Sequence, residues 1–257
     1  MQVVILCGGR GIRLSEQTDL IPKPLVKIGD YPILVHIMRI FLKYKYNNFI
    51  LNLGYKGEKE KEYFLNYRLY NYDFLLEKNN KISFHKKIDD SIDDSNIIFS
   101  STGITSNKAK RILDIKKYIT NEEFLITYGD GLANININKL IKFHRKHKKI
   151  LTLTGVNTGG RFGEISIKNN LLQTIDEKPN ISNRFINGGF FVANKKIFNF
   201  IKIDEDQDFE THTIPSLVKI KEVSVFEHPG FWSCLDTQRD FIYLNELNKK
   251  KIKPWEM

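Results

Sequence analysis

The chain has 257 residues, 41% of them hydrophobic, and carries 40 Lys and Arg against 30 Asp and Glu, a net charge of +10. That supplies a core for one large α/β domain, or a domain with a small appendage, and no apolar run reaches the ~20 residues that span a bilayer. The strand-like start without a basic leader argues against a signal peptide, and two cysteines, Cys7 and Cys234, without metal-ligand spacing, point to a reducing cytoplasm.

Residues 2–7 form a continuous apolar strand, and it runs into Gly8-Gly9-Arg10-Gly11-Ile12-Arg13-Leu14. A buried strand ending in glycines brings bare backbone N–H groups to the carboxyl end of a sheet, where open α/β folds bind anions. Arg13 and then Lys23, in Pro22-Lys23-Pro24-Leu25, add fixed positive charge. A Walker A loop is excluded because Lys23 stands too far from the glycines, and a dinucleotide fingerprint because Leu14 occupies the third glycine position. The pattern that remains describes a polyphosphate cradle.

Apolar spacing predicts a helix over 31–45 with Pro32 in its first turn, a strand over 48–54 and an amphipathic helix over 58–70. This order implies a parallel sheet with right-handed crossovers. Residues 74–101 break the rhythm, with short strands at 82–85 and 97–99 around an acidic loop at 89–94. A helix at about 107–118 precedes the strand 124–127, which ends in Gly129-Asp130-Gly131. The run Lys142, Arg145, Lys146, Lys148 and Lys149 lies on a helix and its exit and reads as a solvated face. No segment interleaves basic and aromatic residues as single-strand binders do, so neither nucleic acid nor membrane is an expected partner. Several strands over 151–192, some antiparallel, lead to a helix near 209–220, a strand at 222–227 and a closing helix at 237–250. No linker or repeat divides the chain. The expectation is one domain over 1–257.

Two aspartates carry the chemistry. Asp130 lies between glycines after a strand, and Asp236 follows His228-Pro229-Gly230-Phe231-Trp232-Ser233-Cys234-Leu235. A carboxylate pair beside a triphosphate suits Mg²⁺, a hard ion that prefers carboxylate and phosphate oxygens. Taken alone, Asp236 equally suits the cap of the last helix. Further on, Arg161, the Glu177-Lys178-Pro179 turn, and Asn187 before Gly188 and Gly189 offer the donors and acceptors that a small polyhydroxylated phosphate requires.

These motifs resemble those of sugar-phosphate nucleotidyltransferases, and over the whole chain those of glucose-1-phosphate cytidylyltransferases. The resemblance rests on residues 8–14, Pro22-Lys23-Pro24, Gly54-Tyr55-Lys56-Gly57, residues 127–131, Arg161-Phe162-Gly163, Glu177-Lys178-Pro179, residues 187–191, residues 228–232, Asp236-Thr237 and Pro254-Trp255. It implies a Rossmann-like, mainly parallel sheet flanked by helices, with small antiparallel additions, the nucleotide-binding part being about 1–135 and the acceptor-binding and C-terminal part about 136–257. It also implies a cytoplasmic homo-oligomer, with residues 74–101 near the nucleotide and the subunit contact, that moves CMP from CTP onto a phosphorylated acceptor for surface polysaccharide biosynthesis. Asp130 and Asp236 would hold Mg²⁺, and Arg13, Lys23 and Asp130 would be catalytic. Leu6, Gly8, Gly9, Gly11, Ile12, Arg13, Lys23, Thr105, Lys108, Tyr128 and Gly129 would bind the nucleotide; Arg161, Glu177, Lys178, Asn187 and Gly188 would bind the acceptor.

The chain departs from that pattern at one wall. Ile12 replaces a threonine, and residues 101–108 lack the family's acid and both glycines, with Lys108 read in the place of its arginine. Lysine supplies a point charge but not a planar fork. Two alternatives therefore stand: a non-sugar acceptor, such as L-glutamine phosphate in capsular phosphoramidate biosynthesis, or a nucleotide-binding regulatory protein with impaired turnover.

Overall fold

In the computed structural model, described for residues 1–9, 11–14, 18–85, 92–157, 164–176, 185–202 and 208–256, the strands in chain order are β1 (Val3–Leu6), β2 (Lys27–Ile28), β3 (Tyr31–Pro32), β4 (Asn48–Leu53), β5 (Asp73–Leu76), β6 (Ile82–His85), β7 (Asn96–Ser101), β8 (Glu123–Tyr128), β9 (Gly131–Ala133), β10 (Leu151–Val156), β11 (Glu164–Lys168), β12 (Leu171–Asp176), β13 (Ile186–Asn194), β14 (Val223–His228) and β15 (Trp232–Cys234). Nine of them form one sheet in the order β11-β12-β14-β10-β13-β8-β1-β4-β7. β8, β1, β4 and β7 run parallel to one another, as do β10 and β14. β13 lies antiparallel between β8 and β10, and β12 pairs antiparallel with both β11 and β14.

The unbroken apolar run of β1 follows from burial on both faces. Val3 and Ile5 point into one apolar cluster with the helix Ile33–Leu42, while Val4 and Leu6 point into a second with Ile112, Phe209 and Leu217. All four are at most 8% exposed. Each side chain buried in this way contributes about 1.5–3 kcal/mol, which fixes the central strands and the rim on which the site is built.

Several elements depart from the spacing-based expectation for local reasons. The first helix begins at Ile33, because Tyr31 and Pro32 pair with Lys27 and Ile28 as β2 and β3. The expected helix over 58–70 is two, Gly57–Leu65 and Tyr67–Asn71, broken where Asn66 leaves helical geometry at φ −103 and ψ 18. β7 extends the main sheet in parallel with β4, and of the described strands between residues 73 and 101 it is the hairpin β5–β6 that stands outside that sheet. Residues 86–91 of the acidic loop region lie outside the described residues. The helix Lys108–Asp114 is capped by Asn107, whose side chain accepts from the Lys110 N–H at 2.9 Å, and a separate turn, Lys116–Tyr118, follows. Lys142, Arg145 and Lys146 are exposed on the helix Ile137–His147, whose other face buries Ile137, Leu140 and Ile141, as expected of a solvated face.

Candidate active site

The carboxyl ends of β8, β1 and β4 meet at one rim. The Cys7 N–H donates to Asn52 O at 3.0 Å and the Gly129 N–H donates to Leu6 O at 3.0 Å, tying the start of the glycine loop to both neighbouring strands. Gly8 leaves no room for a side chain: a Cβ there would lie 2.1 Å from the Arg111 guanidinium. That guanidinium donates to Gly8 O, Leu53 O, Ser106 O and Thr102 Oγ1 at 2.7–3.2 Å. One planar fork thereby braces the glycine loop, β4 and the 102–106 segment together.

Four charges gather beneath this loop. Lys23 sits in a single turn, Lys23–Leu25, held between Pro22 and Pro24, and its side chain is only 10% exposed. Its Nζ donates to Asp130 Oδ2 at 2.7 Å and to Asp236 Oδ1 at 3.0 Å. Arg13 Nη1 donates to Asp236 Oδ2 at 2.7 Å from a largely exposed position. The aspartates are brought together by β9 and β15, which pair Gly131 with Cys234, and by the Leu235 N–H donating to Asp130 O at 2.8 Å. Asp236 does not cap the last helix. Thr237 does so in a capping box with the buried Asp240, whose carboxylate also accepts from the Asp236 N–H at 3.2 Å. The Asp236 side chain is therefore aimed at the site.

Burial works against both charges, yet the partners prevail. Lys23 is held above its ordinary range by Asp130 and Asp236, and Asp236 below its own by Lys23 and Arg13. Two carboxylate oxygens within 3.0 Å of one cationic nitrogen match what a small divalent ion needs when substrate phosphates complete its shell. The donor chemistry fits such an ion.

These residues border a cavity of about 700 Å³. Of the expected nucleotide residues, Leu6, Gly8, Gly9, Gly11, Arg13, Lys23, Thr105, Lys108, Tyr128 and Gly129 line it, together with Asp130 and Asp236. Ile12 lies in the turn Ile12–Leu14, its side chain outside the described residues. Asn187 reaches the cavity through Tyr128, its Nδ2 donating to the tyrosine hydroxyl at 3.4 Å, and Gly188 O accepts from Trp232 Nε1 at 2.7 Å. Arg161, Glu177 and Lys178 lie outside the described residues.

The wall at 104–108 differs from the expectation in one respect. The guanidinium that braces it belongs to Arg111, while the Lys108 ammonium rests on Glu210 and lies 3.9 Å from Asp208. Arg111, Asp208 and Glu210 were not expected at the site. Arg111 follows Lys108 on the same helix and reads as an ordinary surface cation. Nothing local in the chain connects residue 210 to residue 108.

An open α/β sheet with a glycine loop, clustered cations and paired aspartates at its carboxyl rim defines a nucleotide-binding enzyme of the α/β class. The Nucleotidyl transferase family profile matches residues 2–251, and the chain belongs to that family. It is 41% identical over 257 residues to a probable glucose-1-phosphate cytidylyltransferase of Bacillus subtilis, covering all of both chains. It is 40% identical over 259 residues to the glucose-1-phosphate cytidylyltransferase of Salmonella typhimurium, covering all of this chain and 99% of that one. Among solved structures, HddC of Yersinia pseudotuberculosis shares the fold at a TM-score of 0.75 and 23% identity, with 95% and 98% of the two chains covered. The protein is a nucleotidyltransferase with a mainly parallel central sheet flanked by helices. Enzymes of this family generally use a divalent metal.

Proposed function

We propose that this chain moves CMP from CTP onto glucose 1-phosphate at the cavity beneath the glycine loop, releasing pyrophosphate. The observation that carries this reading is the full-length likeness, at 41% identity, to a probable enzyme of that activity. The cluster of Arg13, Lys23, Asp130 and Asp236 at the sheet rim supports it.

An oxygen of the acceptor phosphate attacks the α-phosphorus of the nucleotide. A P–O bond forms there, the bond to the β-phosphate breaks, and pyrophosphate leaves with the electron pair. The nucleophile is already an anion, so no general base is required. Catalysis is alignment plus charge neutralisation. Lys23 neutralises charge at the α-phosphate, and Arg13 with the loop N–H groups does so at the leaving pyrophosphate. Asp130 and Asp236 hold Mg²⁺, which supplies Lewis-acid stabilisation of the phosphate oxygens when bound. Asn187 and Gly188, with Arg161, Glu177 and Lys178, hold the acceptor.

We further read the protein as a cytoplasmic homo-oligomer of one-domain subunits serving surface polysaccharide synthesis. Phe74, Leu76 and Ile82 on one face of the hairpin β5–β6, and Leu75 on the other, are 40–58% exposed, apolar surface that favours association. Among the described residues no helix is long and apolar enough to cross a membrane. Sedimentation of the wild type and a Leu75→Lys/Leu76→Lys variant tests the assembly; a wild-type monomer overturns it.

The decisive assay is pyrophosphate release from each of the four nucleoside triphosphates with a panel of phosphorylated acceptors, including glucose 1-phosphate and L-glutamine phosphate. CTP with glucose 1-phosphate is expected to exceed the other pairs by at least about tenfold in kcat/KM. Faster turnover of another acceptor with CTP would transfer the assignment to that acceptor. Preference for another nucleotide would overturn the cytidylyl reading.

A further inference from the structure

Behind the cavity-lining Tyr128 and Lys108 runs a hydrogen-bond chain that the transfer chemistry does not use. Asn187 Nδ2 donates to Tyr128 Oη at 3.4 Å, the Tyr128 hydroxyl donates to Glu210 Oε1 at 2.5 Å, and the Lys108 ammonium donates to Glu210 Oε2. Its members come from four separate parts of the chain: β13, the end of β8, the turn Phe209–Thr213 and the start of the helix Lys108–Asp114.

The chain has only one polarity. A carboxylate paired with an ammonium can only accept, so it makes Tyr128 a donor toward Glu210. The tyrosine oxygen is then left to accept, and what it can accept from Asn187 is the amide NH₂ and not the carbonyl. The other end of the same amide is set independently, because the Gly189 N–H donates to Asn187 Oδ1 at 2.9 Å. Both ends therefore agree on one orientation of the Asn187 amide, and rotating it by 180° would break both contacts.

The parts that support this chain are rigid. Glu210 lies in a single wide helical turn in which Phe209 is fully buried against Phe191, with ring centroids 5.7 Å apart, and Asp208 caps the turn by accepting from the Glu210 N–H at 2.9 Å. Wide turns of this kind concentrate at functional sites. Tyr128 is packed against Gly189, which has φ +75 and where a Cβ would lie 2.7 Å from the ring. Burial, reinforced by Glu210, holds the Tyr128 hydroxyl well above its ordinary range, so it remains a proton donor.

We infer that Glu210 is a positioning residue for acceptor recognition, acting through the Tyr128 hydroxyl to fix which face of the Asn187 amide meets the acceptor. Lys108, held on Glu210, anchors the carboxylate end of this chain. The inference rests on the reading of Asn187 as an acceptor ligand and adds to it the group that orients Asn187.

The test compares Glu210→Ala, Glu210→Gln and Tyr128→Phe with the wild type in two measurements. The first is the KM for acceptor against the KM for CTP. Glu210→Ala and Tyr128→Phe are expected to raise the acceptor KM about tenfold, the effect of one lost orienting hydrogen bond, and in Glu210→Ala the CTP KM is expected to move less than about twofold. Glu210→Gln keeps an oxygen that accepts from Tyr128 and is expected to stay within about threefold of wild type. The second measurement is hydrogen exchange of the Asn187 side-chain amide by ¹⁵N NMR, which needs no turnover. It is expected to be slow in the wild type and Glu210→Gln, and fast in the other two. Equal shifts in both KM values of Glu210→Ala, or unchanged Asn187 exchange in Glu210→Ala and Tyr128→Phe, would overturn the inference. Wild-type inactivity on glucose 1-phosphate would overturn the acceptor assignment instead, and the amide exchange would still decide whether Glu210 orients Asn187.

Discussion

At the loop end of the cavity two cations and two carboxylates touch directly, all within 3.0 Å, and Arg13 among them is 76% exposed. At the wall formed by Tyr128 and Lys108, Lys108 and Glu210 also form an ion pair, but it continues through the neutral Tyr128 hydroxyl to Asn187, and Glu210 stands next to the buried Phe209. The formal charges cancel at the loop end; on the proposed reading a triphosphate would draw Lys23 and Arg13 onto its own oxygens and leave the aspartates to another cation. The hydrogen bonds of the Lys108 wall already point one way, and on the same reading they would hold an orientation instead of exchanging partners.

The largest expected effect breaks the first region. Asp130→Ala and Asp236→Ala each remove one of the two carboxylates that meet Lys23, and each should lower kcat by about 10²–10³-fold, the scale of losing one pre-organised charge-stabilising group. Chelation of divalent metal should abolish pyrophosphate release in the wild type, with activity restored on adding Mg²⁺. Near-normal pyrophosphate release in both variants would remove the metal assignment.

Arg111 sharpens the comparison because it serves structure beside a site full of functional charge. Its guanidinium holds the carbonyls of Gly8, Leu53 and Ser106, and burial lowers its pKa, with Cys7, Asp114 and Glu60 opposing that effect. Arg111→Met would leave buried carbonyls short of donors and should destabilise the fold by about 2–4 kcal/mol, read by urea unfolding. Arg111→Lys cannot reproduce the fork and should recover only part of this. A neutral result in both would show that the glycine loop is held by its strands alone.

Much of this arrangement is legible without coordinates, because the physics behind it is local. A doubly buried strand, a glycine turn, and prolines on either side of Lys23 each constrain a few adjacent residues, and their order predicts the parallel sheet. The meeting of Asp130 and Asp236 is legible only through the family resemblance, because the β9–β15 pairing that joins them spans about a hundred residues. Glu210 and Tyr128 are joined the same way, by packing between distant elements that no spacing rule records. Lys108 attracted attention as the cation at the expected place, yet a helix turn of 3.6 residues carries Arg111 to the same wall.

The smallest expected effect concerns a residue whose burial the repeating charges of its helix conceal. In Gly57–Leu65 the Glu-Lys-Glu-Lys-Glu run reads as solvated, but Glu60 is fully buried and neither carboxylate oxygen has a hydrogen-bond partner among the described residues. Burial foremost, with Glu58 adding and Arg111 opposing, pushes its carboxyl up to about 8. The folded state therefore keeps a proton that the unfolded chain releases above about 4.5, so this carboxyl disfavours folding increasingly as pH rises. The slope is at most about 1.4 kcal/mol per pH unit, acting between the unfolded and folded values and flat above the folded one. Glu60→Leu, similar in volume and without the charge, should stabilise the protein at pH 8 by at least about 1 kcal/mol more than at pH 5. Urea unfolding of both proteins at the two pH values measures that difference. Equal gains would mean that Glu60 stays ionised in the folded state, with Arg111 as its counter-charge, and the two buried groups would then belong with the exchangeable charges of the loop end.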